Sequence, residues 1–140
     1  MTRLIILIVL TAAAVGIALV LQRRRPDPPS APSYRAPSQL DRNDFADPTA
    51  PILLVVFAST ACNTCPSTWA TVQEVAARYA DLMAHQRIDV EVDPDLHQRY
   101  RIDGVPTTII ADPEGVVQNA FFGPIGADQL LDSLPPPPQG

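Results

Sequence analysis

The chain has 140 residues, with 15 acidic side chains against 10 basic ones and a net charge of −5, and every one of its cations is an arginine. That balance disfavours nucleic-acid binding, and the lack of lysine removes amine-based covalent catalysis such as a Schiff base. Two cysteines permit at most one intramolecular disulfide. The proline-rich and apolar character of the first 38 residues leaves room for one small domain of about 95 residues.

In chain order, residues 4–21 form an uncharged and almost entirely apolar run of 18 residues. At about 1.5 Å per residue this is long enough to cross most of a bilayer core of about 30 Å, so a transmembrane helix is expected, with the membrane as a partner. Arg23, Arg24 and Arg25 complete an anchor segment over residues 1–25. A cleaved signal peptide is the rival, given Arg3 and the small residues Ala12 to Ala14, but the run continues through Val20 and Leu21, beyond an ordinary cleavable segment. The three arginines after the span place the domain of a single-pass cell-membrane protein in the cytoplasm by the positive-inside rule. An extracytoplasmic domain is the alternative. Residues 26–38 are too rich in proline for a helix or a ladder and are expected to be an extended spacer, reaching up to about 35 to 40 Å. Residues 135–140 form a proline-rich tail.

Within residues 39–134 the pattern predicts a short helical piece over 41–47, a strand over 52–57 and a helix over 62–85. A strand over 88–92, a helix over 95–100, strands over 107–111 and 116–122, and a helix over 127–134 follow. Alternating strand and helix signals ending in a hairpin argue for a layered α/β domain with a mixed sheet.

The chemistry is concentrated at Cys62-Asn63-Thr64-Cys65, directly after the apolar strand. Ser59 to Cys65 are small and polar, and Trp69, Val72, Val75, Ala76, Tyr79, Leu82 and Met83 then recur at helical spacing. Cys62 is therefore expected at a helix N-terminus, where free backbone N–H groups and the helix dipole favour a thiolate. Cys65, one turn on, is placed to close the disulfide that releases a product. Pro66 is tolerated only in a first helical turn, which fits this start. His85 and His97 are few and dispersed, so no metal and no cofactor are expected. A carrier of copper or zinc using Cys62, Cys65 and His97, and a binding module with little turnover, stay open as other classes.

Order and spacing of these motifs resemble the thioredoxin family over roughly residues 39–134. The landmarks are Val55-Val56-Phe57-Ala58-Ser59, the Cys62 to Cys65 motif, Asp93 to Ile102 leading into Gly104-Val105-Pro106-Thr107-Thr108, Asp112-Pro113-Glu114-Gly115, and Gly123-Pro124-Ile125-Gly126-Ala127. The resemblance implies a thioredoxin-like fold of the compact type, a central mixed sheet flanked by helices. It implies a thiol–disulfide oxidoreductase with Cys62 as nucleophile and Cys65 as resolving thiol. It also implies a cis proline at Pro106, with Val105 and Thr107 beside it offering backbone groups to a substrate. Partners implied are protein thiols and disulfides and an electron-donating reductase. The chain departs from the family at Ala61, where Trp is usual, and at Asn63-Thr64, where Gly-Pro is common. Val56 stands where many members bury an Asp that relays a proton. Asp89 falls near the strand position of that Asp's usual Lys partner and is expected to be solvated, leaving water or Glu91 to move the proton.

Overall fold

The structure is a computed structural model and describes residues 1, 5–6, 9, 11–17 and 34–137. Its contacts divide the chain into two compact units, Met1–Ser33 and Tyr34–Gly140. In the first unit, residues 5–6, 9 and 11–17 are helical and exposed. Among the described residues no helix is long and apolar enough to cross a membrane. Of the expected spanning helix over 4–21, only residues 5–6, 9 and 11–17 are among those described. The remainder of that stretch, Arg23 to Arg25 and residues 26–33 of the spacer lie outside the described residues, as do residues 138–140 of the tail.

The second unit is built on the strand β1, Ile52–Ala58. β2 (Met83–Asp89) pairs with it in parallel, β3 (Thr107–Ala111) antiparallel, and β4 (Val117–Phe122) adds antiparallel to β3. The order β2-β1-β3-β4 makes the expected mixed sheet. Helices α1 (Cys65–Ala76), α2 (Pro94–Arg99) and α3 (Ala127–Asp132) complete it.

β1 reads as an unbroken apolar run because both of its faces are covered. Leu54, Val56 and Ala58 pack with Cys65, Val72 and Val75 of α1, Leu130 of α3 and Ile110 of β3. Leu53, Val55 and Phe57 pack on the opposite side with Leu40, Phe45, Ile88, Tyr100 and Ile109. Each such aliphatic side chain contributes about 1.5 to 3 kcal/mol when fully buried.

The helix expected over 62–85 is shorter at both ends. It begins at Cys65 and ends at Ala76, and a 3-10 turn over Ala80–Leu82 leads into β2. The misleading signal came from Tyr79, Leu82 and Met83, which continue the helical spacing. Past the end of the helix Ala80 adopts φ 47°, a left-handed conformation that bars the helical spacing from continuing, and Leu82 turns outward. Met83 then pairs with Ile52, so β2 starts five residues before the expected strand. The piece expected over 41–47 is a single 3-10 turn, Arg42–Asp44, capped by the Asp41 side chain on the Asn43 N–H.

Arg42 is buried and staples this turn in place, donating to the carbonyls of Asp47 (3.0 Å), Ala50 (3.0 Å) and Asp112 (2.9 Å). The Leu40 N–H donates to Gly115 O at 2.8 Å in the turn between β3 and β4. Gly115 has φ 83°, and a Cβ there would lie 2.0 Å from Leu40 O, so only glycine fits. Ahead of the domain, Tyr34 stacks on Phe122 with ring centroids 5.6 Å apart and covers Gly104. The last residues of the proline-rich segment therefore lie against the domain.

Candidate active site

β1 ends at Ala58, and the turn that follows delivers Cys62 to the surface before α1 begins. Cys62 is half-buried and Cys65 fully buried. The two sulfurs form a disulfide with an S–S distance of 2.14 Å and Cα atoms 5.5 Å apart. Thr64 is the N-cap, so Cys62 precedes the helix by more than the sequence pattern indicated. The helix still reaches it, because the Cys65 N–H, one of the amides a helix start leaves without an internal partner, donates to Cys62 Sγ at 3.1 Å. The Thr64 hydroxyl lies 3.7 Å from the same sulfur. Both contacts favour negative charge on Cys62 once the disulfide opens.

Ser59, Ala61, Cys62, Asn63, Thr64 and Val105 line a shallow cleft of about 410 Å³. Val105 is joined to Pro106 by a cis peptide bond and is partly exposed beside the outer sulfur. Pro106 is buried, and its carbonyl accepts from the Gly123 N–H at 2.8 Å. Thr107 is buried and donates its hydroxyl to Gly104 O at 2.7 Å, which closes the turn. The structure thus brings Val105 and Cys62 together, with Pro106 and Thr107 behind Val105 at the start of β3.

His97 is not brought to the cysteines. Its ring packs edge-on against Phe57 at 5.1 Å, on the face of the sheet opposite Cys65. The metal-carrier triad of Cys62, Cys65 and His97 is therefore divided by β1. Trp69 of α1 is half-buried and lies against the exposed His85 ring at 5.6 Å.

Around the buried sulfur the polar groups differ from expectation. Val56, fully buried on the Cys65 face, sits opposite Arg87 of β2 and Thr108 of β3. Asp89 is not solvated: Arg87 grips it through Nε at 3.0 Å and a terminal nitrogen at 2.7 Å, and both side chains are about one-fifth exposed. Among the described residues, Thr108 Oγ1 is buried without a hydrogen-bond partner. The sequence pattern missed Arg87 and Thr108; period-two alternation along β2 and β3 carries both to the Val56 face.

Glu91 belongs to the approach to Cys62. Its carboxylate accepts from the Ser59 hydroxyl in a short contact and from the Thr60 N–H at 3.1 Å. These hydrogen bonds, the Ser59 one foremost, hold its pKa down to about 2. A carboxylate so firmly ionised is a poor proton acceptor near neutral pH, which disfavours Glu91 relative to water as the proton carrier.

The sequence model of the thioredoxin family, described as Thioredoxin, matches residues 39–135. The chain is similar to Thioredoxin Y2, chloroplastic, of Arabidopsis thaliana, and to Thioredoxin Y, chloroplastic, of Oryza sativa subsp. japonica. Each is 32% identical over 82 residues, 59% of this chain and 48% of the relative. The chain thus spans about half the length of these curated relatives. Among solved structures, chloroplastic thioredoxin z is 28% identical with a TM-score of 0.51, covering 59% of this chain and 74% of that one. A malarial protein at 12% identity superposes with a TM-score of 0.56 over 59% of this chain and 92% of its own, a likeness of fold alone. With a family match over residues 39–135, a mixed four-stranded sheet and a cysteine pair joined at the start of its longest described helix, the chain belongs to the thioredoxin family.

Proposed function

We propose that this protein reduces or exchanges disulfides in other proteins through its Cys62 and Cys65 pair. The observation that carries this is the asymmetry of the two sulfurs. Cys62 is reachable and receives an amide donor, whereas Cys65 is sealed in the core. In the reduced protein a Cys62 thiolate attacks a substrate disulfide, forming a mixed disulfide and expelling one substrate thiolate. Cys65 then loses its proton and attacks Cys62, forming the intramolecular disulfide and releasing the second substrate thiolate. The electron pair passes from the dithiol to the substrate, and an external thiol reductase restores it.

Val105, Pro106 and Thr107 form the docking turn for the substrate chain, a role supported by Val105 lining the Cys62 cleft. With Val56 in place of a carboxylate, proton removal from Cys65 falls to water. Attachment to a membrane is supported by the apolar run over residues 4–21, with Arg23 to Arg25 favouring a cytoplasmic domain. Alkaline phosphatase fused to the C-terminus is expected to be inactive, and an active fusion would reverse that orientation.

Insulin reduction by dithiothreitol tests the reaction. Catalytic amounts of the chain are expected to shorten the lag before insulin precipitates, and the Cys62→Ser variant to restore it. A wild-type chain that leaves the lag unchanged would favour a binding module.

A further inference from the structure

The turn between β1 and Cys62 is held from outside by one side chain. Glu91 lies beyond the end of β2, and its two carboxylate oxygens take the Ser59 hydroxyl and the Thr60 N–H. The same Ser59 oxygen accepts from the Ala61 N–H at 3.1 Å, and the Ser59 carbonyl accepts from the Cys62 N–H at 3.2 Å. A continuous chain of hydrogen bonds therefore runs from the Glu91 carboxylate through Ser59 to the backbone of the outer cysteine. The Cys65 N–H donates to Cys62 Sγ from the helix side, while the Glu91 carboxylate is held on the Thr60 N–H, two residues before Cys62 in sequence.

We infer that Glu91 is a positioning residue that sets the redox equilibrium of the Cys62 and Cys65 pair, biasing it toward the disulfide and making the dithiol a stronger reductant. The bias arises in the reduced state, which gains stability from the Cys62 thiolate. A nearby carboxylate opposes that thiolate, whereas the disulfide carries no charge to oppose. The depressed pKa of Glu91, about 2, means that the charge is present throughout the range in which a thiol reductase works. This inference rests on the dithiol chemistry proposed above.

The test is the equilibrium of the full chain with glutathione at pH 8, in which the dithiol and glutathione disulfide give the protein disulfide and two glutathione thiols. Glu91→Gln keeps the size of the side chain and removes its charge, and is expected to lower the equilibrium constant for oxidation about threefold or more. Glu91→Asp keeps the charge and is expected to stay close to wild type. Ser59→Ala breaks the relay but leaves the carboxylate on Thr60, and is expected to fall between them. An unmoved constant in Glu91→Gln, or an equal fall in Glu91→Asp, would overturn the inference. Because this constant is read without turnover, failure of the insulin assay bears on the proposed reaction and failure of the Gln substitution on the role of Glu91.

Discussion

Thr108→Val isolates the cost of the polar group left beneath the site. Thr108 is fully buried, its Oγ1 has no partner among the described residues, and on the Cys65 side of the sheet it lies opposite Val56. An unpartnered buried hydroxyl forfeits about 1 to 3 kcal/mol of hydration that nothing repays. Valine has the same branched outline and places a methyl group where the hydroxyl was, against an apolar cluster containing Val56 and Ile110. Taking the lower part of that range, the substitution is expected to stabilise the oxidised protein by about 1 kcal/mol, or about 4 to 8 °C in Tm for a domain of this size. Urea unfolding of the two chains, followed by far-UV circular dichroism, gives the midpoint and slope. The expected result is a higher midpoint at unchanged slope. A lower midpoint would mean that the hydroxyl is satisfied in solution, and an unchanged one that its desolvation costs nothing; either defeats the reasoning.

Gly115→Ala forces a Cβ against Leu40 O at a left-handed backbone position, and is expected to cost about 2 kcal/mol or more in the same unfolding experiment. A change below about 0.5 kcal/mol would contradict the close approach of these segments. Glu91 gives an acid signature. Because its folded pKa is depressed to about 2 from 4.5, its contribution is present above pH 4.5 and is lost as pH falls toward 2. Glu91→Gln is expected to flatten the stability profile in that window, and parallel profiles for the two chains would refute the hydrogen bonds to Ser59 and Thr60.

The parts of the fold that the sequence exposes are those decided by local pattern. The apolar run of β1, the adjoining cysteine pair and the β-branched run Thr107 to Ile110 of β3 each carry their own signal, and the structure has them within a residue or two of the expected places. What the pattern misjudged depended on contacts distant along the chain. Nothing at Ala80 announces a left-handed break, since neither glycine nor proline is there, and Met83 is a strand residue because Ile52 pairs with it. Asp89 resembles a solvated acid until Arg87, two residues back on the same face, is seen to hold it. Glu91 meets Ser59 across 32 residues of sequence, beyond the reach of any window of periodicity. Tyr34 belongs by composition to a spacer, and only the tertiary structure provides Phe122 for it to stack on.

The most direct measurement of the central claim is trapping by single-cysteine variants on non-reducing gels. Cys65→Ser retains the accessible sulfur and lacks the one that resolves, so it is expected to accumulate mixed disulfides with protein substrates that dithiothreitol dissolves. Cys62→Ser leaves only a sulfur with no exposed surface and is expected to trap nothing. Equal trapping by the two variants, or disulfide reduction surviving in Cys62→Ser, would contradict the division of labour on which the proposed function stands.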